Sequence, residues 1–287
     1  MIKSLLVPAT GSAGDDAAFG AAITLARTFG AHLDFLHVRV DPAAVAVAMT
    51  SETGAAAMIS GLIERIEADA DERERLARER FDAFCRRESL AFADAPSAAG
   101  GLSAAWHCET GEDAFWIAEY GRAADLLVLG RPDNGDGIGR EALEAALLDS
   151  GRPVLLAPKA GLARLPETIA IAWKPAREAA LAVAAATAFF SLVKEVQVLT
   201  VDEDDTEAQD AAERLAAGLR WHGVAVVVRR LDPAPEGVGD ALLKAAGDTK
   251  ALLVMGGYGH SRMREWVFGG VTARVLSDAA VPVLMAH

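Results

Sequence analysis

The sequence has few cysteines and no grouping of metal-binding residues. Only Cys85 and Cys108 occur among 287 residues, and they lie in different predicted elements without the spacing of metal ligands. We therefore expect both to be reduced and structural, which is typical of a reducing compartment. Residues 1–8 enter an apolar strand directly and lack the small-residue cleavage site of a secretory signal. These features predict a cytoplasmic protein.

Basic residues and long apolar runs are also scarce. The chain has 28 Lys and Arg against 41 Asp and Glu, a formal net charge of −13, which argues against nucleic acid as a partner. No apolar run reaches the roughly 20 residues of a membrane-spanning helix, so no membrane partner is expected. In 1–160 there are 15 basic and 25 acidic residues, against 13 and 16 in 161–287. The milder charge of the second half permits an anionic ligand there.

Catalytic motifs are missing as well. The sequence has no Gly-x-x-x-x-Gly-Lys-Ser/Thr loop and no Ser, His and Asp spacing that supports a nucleophile with its base. We therefore expect no dedicated catalysis. What the chain does have is apolar content, 52% against 24% charged, which predicts ordered, well-packed domains.

The chain repeats itself at about half its length. Residues 124–130 (Ala-Asp-Leu-Leu-Val-Leu-Gly) parallel residues 250–256 (Lys-Ala-Leu-Leu-Val-Met-Gly), and 150–157 parallel 280–286. Self-similarity of this kind indicates tandem copies of one unit. Between them lies a segment with one glycine and two prolines, residues 158–166. We therefore predict two domains joined by this linker, residues 1–159 and 166–287.

Within each half, short apolar runs alternate with helical stretches of about 12–20 residues, the pattern of parallel strands joined by right-handed crossovers. We predict strands near 3–8, 33–40, 102–108, 125–130, 153–157, 168–173, 195–201, 224–230, 251–255 and 281–285. The predicted fold is α/β, with two tandem Rossmann-like domains that each contain a five-stranded parallel sheet flanked by helices.

The strongest functional signal is a glycine-rich segment in the second half. Residues 251–255 are apolar throughout, as expected of a strand covered on both faces, and Gly256-Gly257-Tyr258-Gly259 follows. Glycines at the carboxyl end of such a strand let backbone N–H groups approach an anion. A helix beginning near Gly270 would direct its N-terminal dipole to the same place. This arrangement predicts phosphate binding; the alternative is a tight turn with close helix–sheet packing.

The spacing Gly256-x-x-Gly259-x9-Gly269, between one apolar strand and another at 281–285, resembles the nucleotide-binding signature of the universal stress protein family. The resemblance implies a strand order of 3-2-1-4-5 in each domain. It also implies a regulatory, stress-response role through ATP or a related adenine nucleotide, with or without Mg²⁺ and with at most slow hydrolysis.

The resemblance places the nucleotide site in the second domain. The candidate cofactor-binding residues, in the glycine-rich segment or at strand ends, are Trp173, Lys174, Val201, Gly256, Gly257, Gly259, His260, Arg262, Gly269, Gly270, Val271 and Thr272. Arg262 offers charge-assisted hydrogen bonds to phosphate; the alternative for it is a solvent-facing lid residue. Lys174 stands where the family has an acidic adenine contact, and it can only donate.

The first domain departs from this pattern. Residues 130–139 are rich in glycine but lack the nine-residue interval, and Asp133 and Asp136 would repel a phosphate. We interpret this domain as degenerate for nucleotide and structural, with a metal-mediated phosphate contact as the alternative. A charged helix between Glu64 and Arg87 is expected to present a solvated face, or else to bind a partner.

Two other functions stay open. The first is a nucleotide-free scaffold with vestigial sites, favoured by Lys174 and by Gly270 in place of a hydroxyl residue. The second is an adenine-nucleotide-dependent hydrolase or transferase, which would need an acidic base near the glycine-rich segment. A homodimer or an unidentified protein partner is compatible with either. Architecturally, we predict that the two closing strands meet, because 154–156 and 283–285 are apolar enough for a buried contact.

Overall fold

The computed structural model describes residues 1–45, 59–95, 101–131, 138–201, 206–232, 234–257 and 270–287. Its strands are β1 (Ser4–Pro8), β2 (His32–Arg39), β3 (Ala91–Phe92), β4 (Ser103–Thr110), β5 (Leu126–Leu129), β6 (Val154–Leu156), β7 (Thr168–Ala172), β8 (Glu195–Val201), β9 (Ala225–Leu231), β10 (Leu252–Gly256) and β11 (Val283–Ala286). The helices are α1 (Asp15–Phe29), α2 (Ile59–Glu88), α3 (Asp113–Ala123), α4 (Arg140–Leu148), α5 (Arg177–Ala186), α6 (Thr206–Arg220), α7 (Val238–Thr249) and α8 (Gly270–Asp278), with a 3₁₀ helix at Thr187–Leu192.

The eleven strands of the described residues form one sheet in the order β3-β4-β2-β1-β5-β6-β11-β10-β7-β8-β9. Every neighbouring pair is parallel except β6 with β11. Counted within each repeat, the five main strands follow the order 3-2-1-4-5, as the resemblance implied. The first repeat adds β3 at the edge, which we did not predict because two exposed residues carry no apolar alternation.

The closing strands of the two repeats pair with each other. Val154, Leu155 and Leu156 of β6 lie opposite Met285, Leu284 and Val283 of β11 in an antiparallel register, and all six side chains are fully buried. The predicted contact between the two closing strands is therefore confirmed, and it makes the sheet continuous across the repeats.

The helices cover both faces of this sheet, and each face has its own apolar core. Side chains of α1, α2, α5 and α6 pack against one face, and those of α3, α4, α7 and α8 pack against the other. Alternate residues of a strand face the two cores, as β1 illustrates: Leu5 and Val7 belong to the first core and Leu6 to the second. The two-residue period of a strand requires this alternation. Layers on both faces are the arrangement expected for parallel strands.

Helix α2 is the longest of the described helices, with 30 residues. Its inner side joins an aromatic group in which the ring centroids of Phe81 and Phe35 are 5.0 Å apart. On its outer side Arg75 bonds Glu72 and Glu79, and all three side chains are exposed. The predicted solvated face is present, and partner binding by this helix stays a prediction.

Cys85 and Cys108 are both free. None of the helices in the described part of the chain is long and apolar enough to cross a membrane.

Candidate functional site

The carboxyl ends of three strands of the second repeat meet at one edge of the sheet. Strand β7 ends at Ala172, directly before Trp173 and Lys174, and its neighbours β8 and β10 end at Val201 and Gly256. The Trp173 N–H donates to the Leu199 carbonyl at 2.9 Å, which extends the pairing by one residue. Helix α8 begins at Gly270. Gly259, His260, Arg262 and Gly269 lie outside the described residues.

Gly256 is confined by the helix that follows β7. A Cβ atom at this position would lie 2.6 Å from the backbone nitrogen of Ala179 and 2.7 Å from the carbonyl carbon of Glu178, both in the first turn of α5. Only glycine allows the strand and the helix backbone to approach this closely. The packing role, which the sequence left as the alternative, therefore has direct structural support at Gly256.

Gly257 and Gly270 have different surroundings. A Cβ on Gly257 would make an ordinary contact with the Met285 methyl group at 3.4 Å, and nothing described lies within 4 Å of a Cβ on Gly270. The Gly257 N–H is already used, because it donates to the Ala286 carbonyl at 2.9 Å. Gly270 is exposed at the start of α8, so packing within the described residues does not explain it.

Two polar side-chain atoms at this edge are buried and have no hydrogen-bond partner among the described residues. They are Nε1 of Trp173 and the hydroxyl oxygen of Thr200. Since Ala172 lies opposite Leu199 in the parallel ladder, Trp173 and Thr200 follow as the next opposed positions. A buried donor without a partner costs about 1–3 kcal/mol, so native proteins rarely keep one without a reason.

The other predicted residues of this edge are spread between surface and core. Lys174 is exposed and Val201 is half-buried, whereas Val271 packs against the core and Thr272 is buried. The indole ring of Trp173 packs against the apolar core as well. Packing is therefore its observed role, and only its Nε1 atom is left for other contacts.

The same edge of the first repeat is filled differently. His37 occupies the position that corresponds to Thr200, and its Nδ1 lies 2.7 Å from the Ala9 carbonyl oxygen. Because a carbonyl only accepts, Nδ1 carries the proton and Nε2 is an acceptor when the ring is neutral. His37 is only 3% exposed, and its Nε2 has no partner within the described ranges.

The backbone of helix α2 packs against the loop that follows β1. A Cβ on Gly11 would lie 2.6 Å from the Arg73 carbonyl oxygen, and φ at Gly11 is +83°, so both space and backbone conformation require glycine there. The buried carboxylate of Asp15 accepts hydrogen bonds from the Thr10 N–H and hydroxyl and from the Gly11 N–H. Thus α2 and Asp15 close this edge of the first repeat.

Burial shapes the electrostatics of this first-repeat edge. It raises the pKa of Asp15, and hydrogen bonds from Thr10 and Gly11 oppose the shift only in part. It also raises the pKa of Asp113, at the start of α3, against the opposing effects of His37 and Arg73. A buried edge that destabilises carboxylate charge is also unfavourable for a phosphate.

Sequence reasoning missed Thr200, His37 and Asp15. Thr200 had a signal, a hydroxyl one residue before the predicted end of a strand, but its unpartnered state depends on strand register. The alternative of a metal between Asp133 and Asp136 concerns residues outside those described. Within the described ranges, no three His, Cys, Asp or Glu side chains are placed to hold a metal ion.

Comparisons with known proteins agree with this architecture. The model of the universal stress protein family matches residues 1–150 and again residues 170–287. No curated protein matches the chain.

Solved structures share the fold over nearly the whole length. A universal stress protein from Archaeoglobus fulgidus DSM 4304 is 16% identical, with a TM-score of 0.69 over 99% of this chain and 95% of that one. A functionally unknown protein from Pseudomonas aeruginosa PAO1 is 18% identical, with a TM-score of 0.52 over 99% and 92%. With two family matches that together cover most of its length, the chain belongs to the universal stress protein family.

Proposed function

We propose that the second repeat binds ATP or a related adenine nucleotide, with or without Mg²⁺, and that occupancy serves a regulatory role in the stress response. One observation carries the proposal. Nε1 of Trp173 and the hydroxyl of Thr200 are buried at the carboxyl ends of β7 and β8, where open α/β sheets bind their ligands, and neither has a partner in the described part of the chain. In this proposal the domains are residues 1–159 and 166–287.

The chemistry of the edge suits a nucleotide. The indole N–H is a donor and the threonine hydroxyl both donates and accepts, so together they provide specific contacts to a base or ribose. Helix α8 begins at the exposed Gly270, and a helix N-terminus favours an anion through its dipole and free N–H groups. The exposed Lys174 adds a positive charge for phosphate, although it cannot accept from an adenine amine.

The two repeats have different roles in this proposal. In the first repeat His37 bonds the Ala9 carbonyl and the backbone of Arg73 lies against Gly11, so its edge is occupied by the chain itself. In the second repeat the corresponding positions are Thr200, whose buried hydroxyl has no partner among the described residues, and the exposed Pro175. The first repeat therefore acts as a structural partner and the second as the binding unit.

Regulation is proposed rather than catalysis, with hydrolysis slow at most. A nucleotide-free scaffold is the rival function, and a specific observation favours it: Lys174 at the end of β7 replaces the acidic contact that the family resemblance leads one to expect. The two functions differ in whether the purified chain binds nucleotide.

Isothermal titration of the full chain with ATP, ADP and AMP tests the proposal. Binding of at least one nucleotide is expected, with modest affinity. Thr200→Val removes the unpartnered hydroxyl while it keeps the shape of the side chain, and the loss of one hydrogen bond should weaken binding about 3- to 10-fold. Thr168→Val, at the opposite end of β7, is the matched control and should leave the affinity unchanged.

Substitutions in the glycine-rich segment provide a second arm. Gly259→Val and Gly269→Val should abolish binding, whereas Gly137→Val in the first repeat should not change it. Absence of heat and of any thermal shift with millimolar ATP, ADP and AMP would favour the scaffold. An equal loss of nucleotide binding in Gly137→Val would show that the second repeat is the wrong assignment for the site.

A further inference from the structure

Arg131 connects the first repeat to the last helix of the second. It is the second residue after β5 and is only 6% exposed. One terminal nitrogen donates to the carbonyl oxygens of Val275 at 2.9 Å and Leu276 at 2.8 Å, and the other donates to the Val281 carbonyl at 3.1 Å. A single side chain therefore binds both the C-terminal turn of α8 and the segment that enters β11.

These contacts suit the chemistry of a helix end. The last four carbonyl groups of an α-helix have no partner within the helix, and they form the negative end of its dipole. The guanidinium group supplies several donors in a fixed planar arrangement together with a positive charge. Burial lowers the pKa of Arg131 to about 10, against the opposing effect of Asp278, so the side chain stays charged at neutral pH.

The second repeat does not make the reciprocal contact through the corresponding residue. The position in the second repeat that corresponds to Arg131 is Gly257, which has no side chain to return the contact. At the end of α4, the first-repeat counterpart of α8, Nε of Arg122 donates to the Asp149 carbonyl at 3.2 Å, and Arg122 belongs to the same repeat. Each helix end thus has an arginine partner, but only that of α8 comes from the other repeat.

The opposite end of α8 is Gly270, in the site proposed above. A helix of nine residues is about 13 Å long, so a restraint at one end limits the position of the other. We propose that Arg131 is a positioning residue through which the first repeat holds α8, and thereby the N–H groups that face the ligand. The effect on ligand rests on the proposed function, whereas the restraint on the helix does not.

Three variants of the full chain test this proposal. Arg131→Met removes the charge and the donors but keeps an apolar stem of similar length, and Arg131→Lys keeps the charge with fewer donors. Arg122→Met is the matched control, because it removes the corresponding contact at the end of α4. Hydrogen–deuterium exchange of peptides from α8 and α4 is measured for each variant, followed by titration with ATP.

The proposal predicts at least 10-fold faster exchange in α8 for Arg131→Met, with α4 unchanged and with partial recovery in Arg131→Lys. Arg122→Met should show the reverse pattern. For ATP, we expect about 5- to 10-fold weaker binding in Arg131→Met and wild-type binding in Arg122→Met. An arginine that only stabilised the fold as a whole would speed exchange in both helices alike.

The outcomes distinguish the two proposals. Unchanged exchange in α8 of a folded Arg131→Met protein overturns the positioning role. Faster exchange in α8 with unaltered ATP affinity overturns the coupling to the ligand. If the wild-type chain binds no nucleotide, the proposed function fails, and the exchange of α8 alone decides whether Arg131 holds the helix.

Discussion

Replacement of Gly256 by alanine is expected to destabilise the second repeat. The added Cβ would lie 2.6 Å from the Ala179 nitrogen and 2.7 Å from the Glu178 carbonyl carbon. Ordinary contacts to a Cβ begin near 3.4 Å. Because the opposing atoms belong to a helix backbone, they cannot rotate away as a side chain would. Strand β10 and helix α5 must therefore separate.

The size of the effect follows from two opposing terms. Overpacking of a well-packed interior costs typically about 1–3 kcal/mol, and a clash with backbone belongs at the upper end. Alanine also lowers the entropy of the unfolded chain relative to glycine, which returns about 0.4–1 kcal/mol. We expect a net loss of about 2 kcal/mol in the free energy of unfolding. For a chain of this size that corresponds to a decrease in Tm of about 4–8 °C.

Urea denaturation followed by circular dichroism measures the loss, and three other glycines provide a graded control. A Cβ at Gly257 would make ordinary contacts with the flexible Met285 methyl group at 3.4 Å and the Ala286 carbonyl oxygen at 3.8 Å, and a Cβ at Gly270 would meet nothing described within 4 Å. Gly257→Ala and Gly270→Ala should therefore stay within about 0.5 kcal/mol of wild type. Gly130→Ala, with a contact of 3.2 Å to the Gly14 carbonyl oxygen, should be intermediate. Equal stability of Gly256→Ala and Gly257→Ala would refute the packing role.

Further predictions concern charge and the contact between the repeats. Burial alone would raise the pKa of Asp34, but hydrogen bonds from His32 and His107 lower it below the usual value. The ionised carboxylate therefore stabilises the fold above about pH 4, and this contribution is lost as the pH falls further. Asp34→Asn should flatten the acid limb of the profile of stability against pH, measured by urea denaturation. Asp15→Ala should cost about 3 kcal/mol in a thermal or urea melt, because three donors lose a buried acceptor; a loss under 1 kcal/mol would contradict this. Leu155→Asp, which places a charge opposite Leu284 in the fully buried closing strands, should prevent folding or cost more than about 4 kcal/mol, and a native-like melt would contradict the contact.

The sequence was sufficient for the features that depend on local patterns. The repeat of an apolar run followed by glycine at 130 and 256 predicted two α/β units, and the apolar closing strands predicted their contact. These patterns work because a strand covered on both faces must be apolar along its length. The two-residue strand β3 has no such pattern, and its pairing with β4 depends on the neighbouring chain rather than on Ala91 and Phe92 themselves.

The candidate site was less accessible to prediction. That Gly256 packs against α5 and that Thr200 has no partner both depend on tertiary distances, which glycine spacing and strand periodicity do not encode. Arg131 is the clearest case: an arginine after a strand, in a segment rich in polar residues, has the pattern of a solvated loop. Its burial follows from the carbonyl groups of a helix 144 residues later, which no local window contains.

Photoaffinity labelling with 8-azido-ATP, followed by peptide mass spectrometry, tests the central claim most directly. The label reports which repeat holds the base, and competition with unlabelled ATP separates a specific site from random attachment. We expect competed cross-links confined to peptides from residues 168–287, weakened in Thr200→Val and unchanged in Thr168→Val. Competed cross-links confined to residues 1–157, or labelling that excess ATP does not reduce, would contradict it.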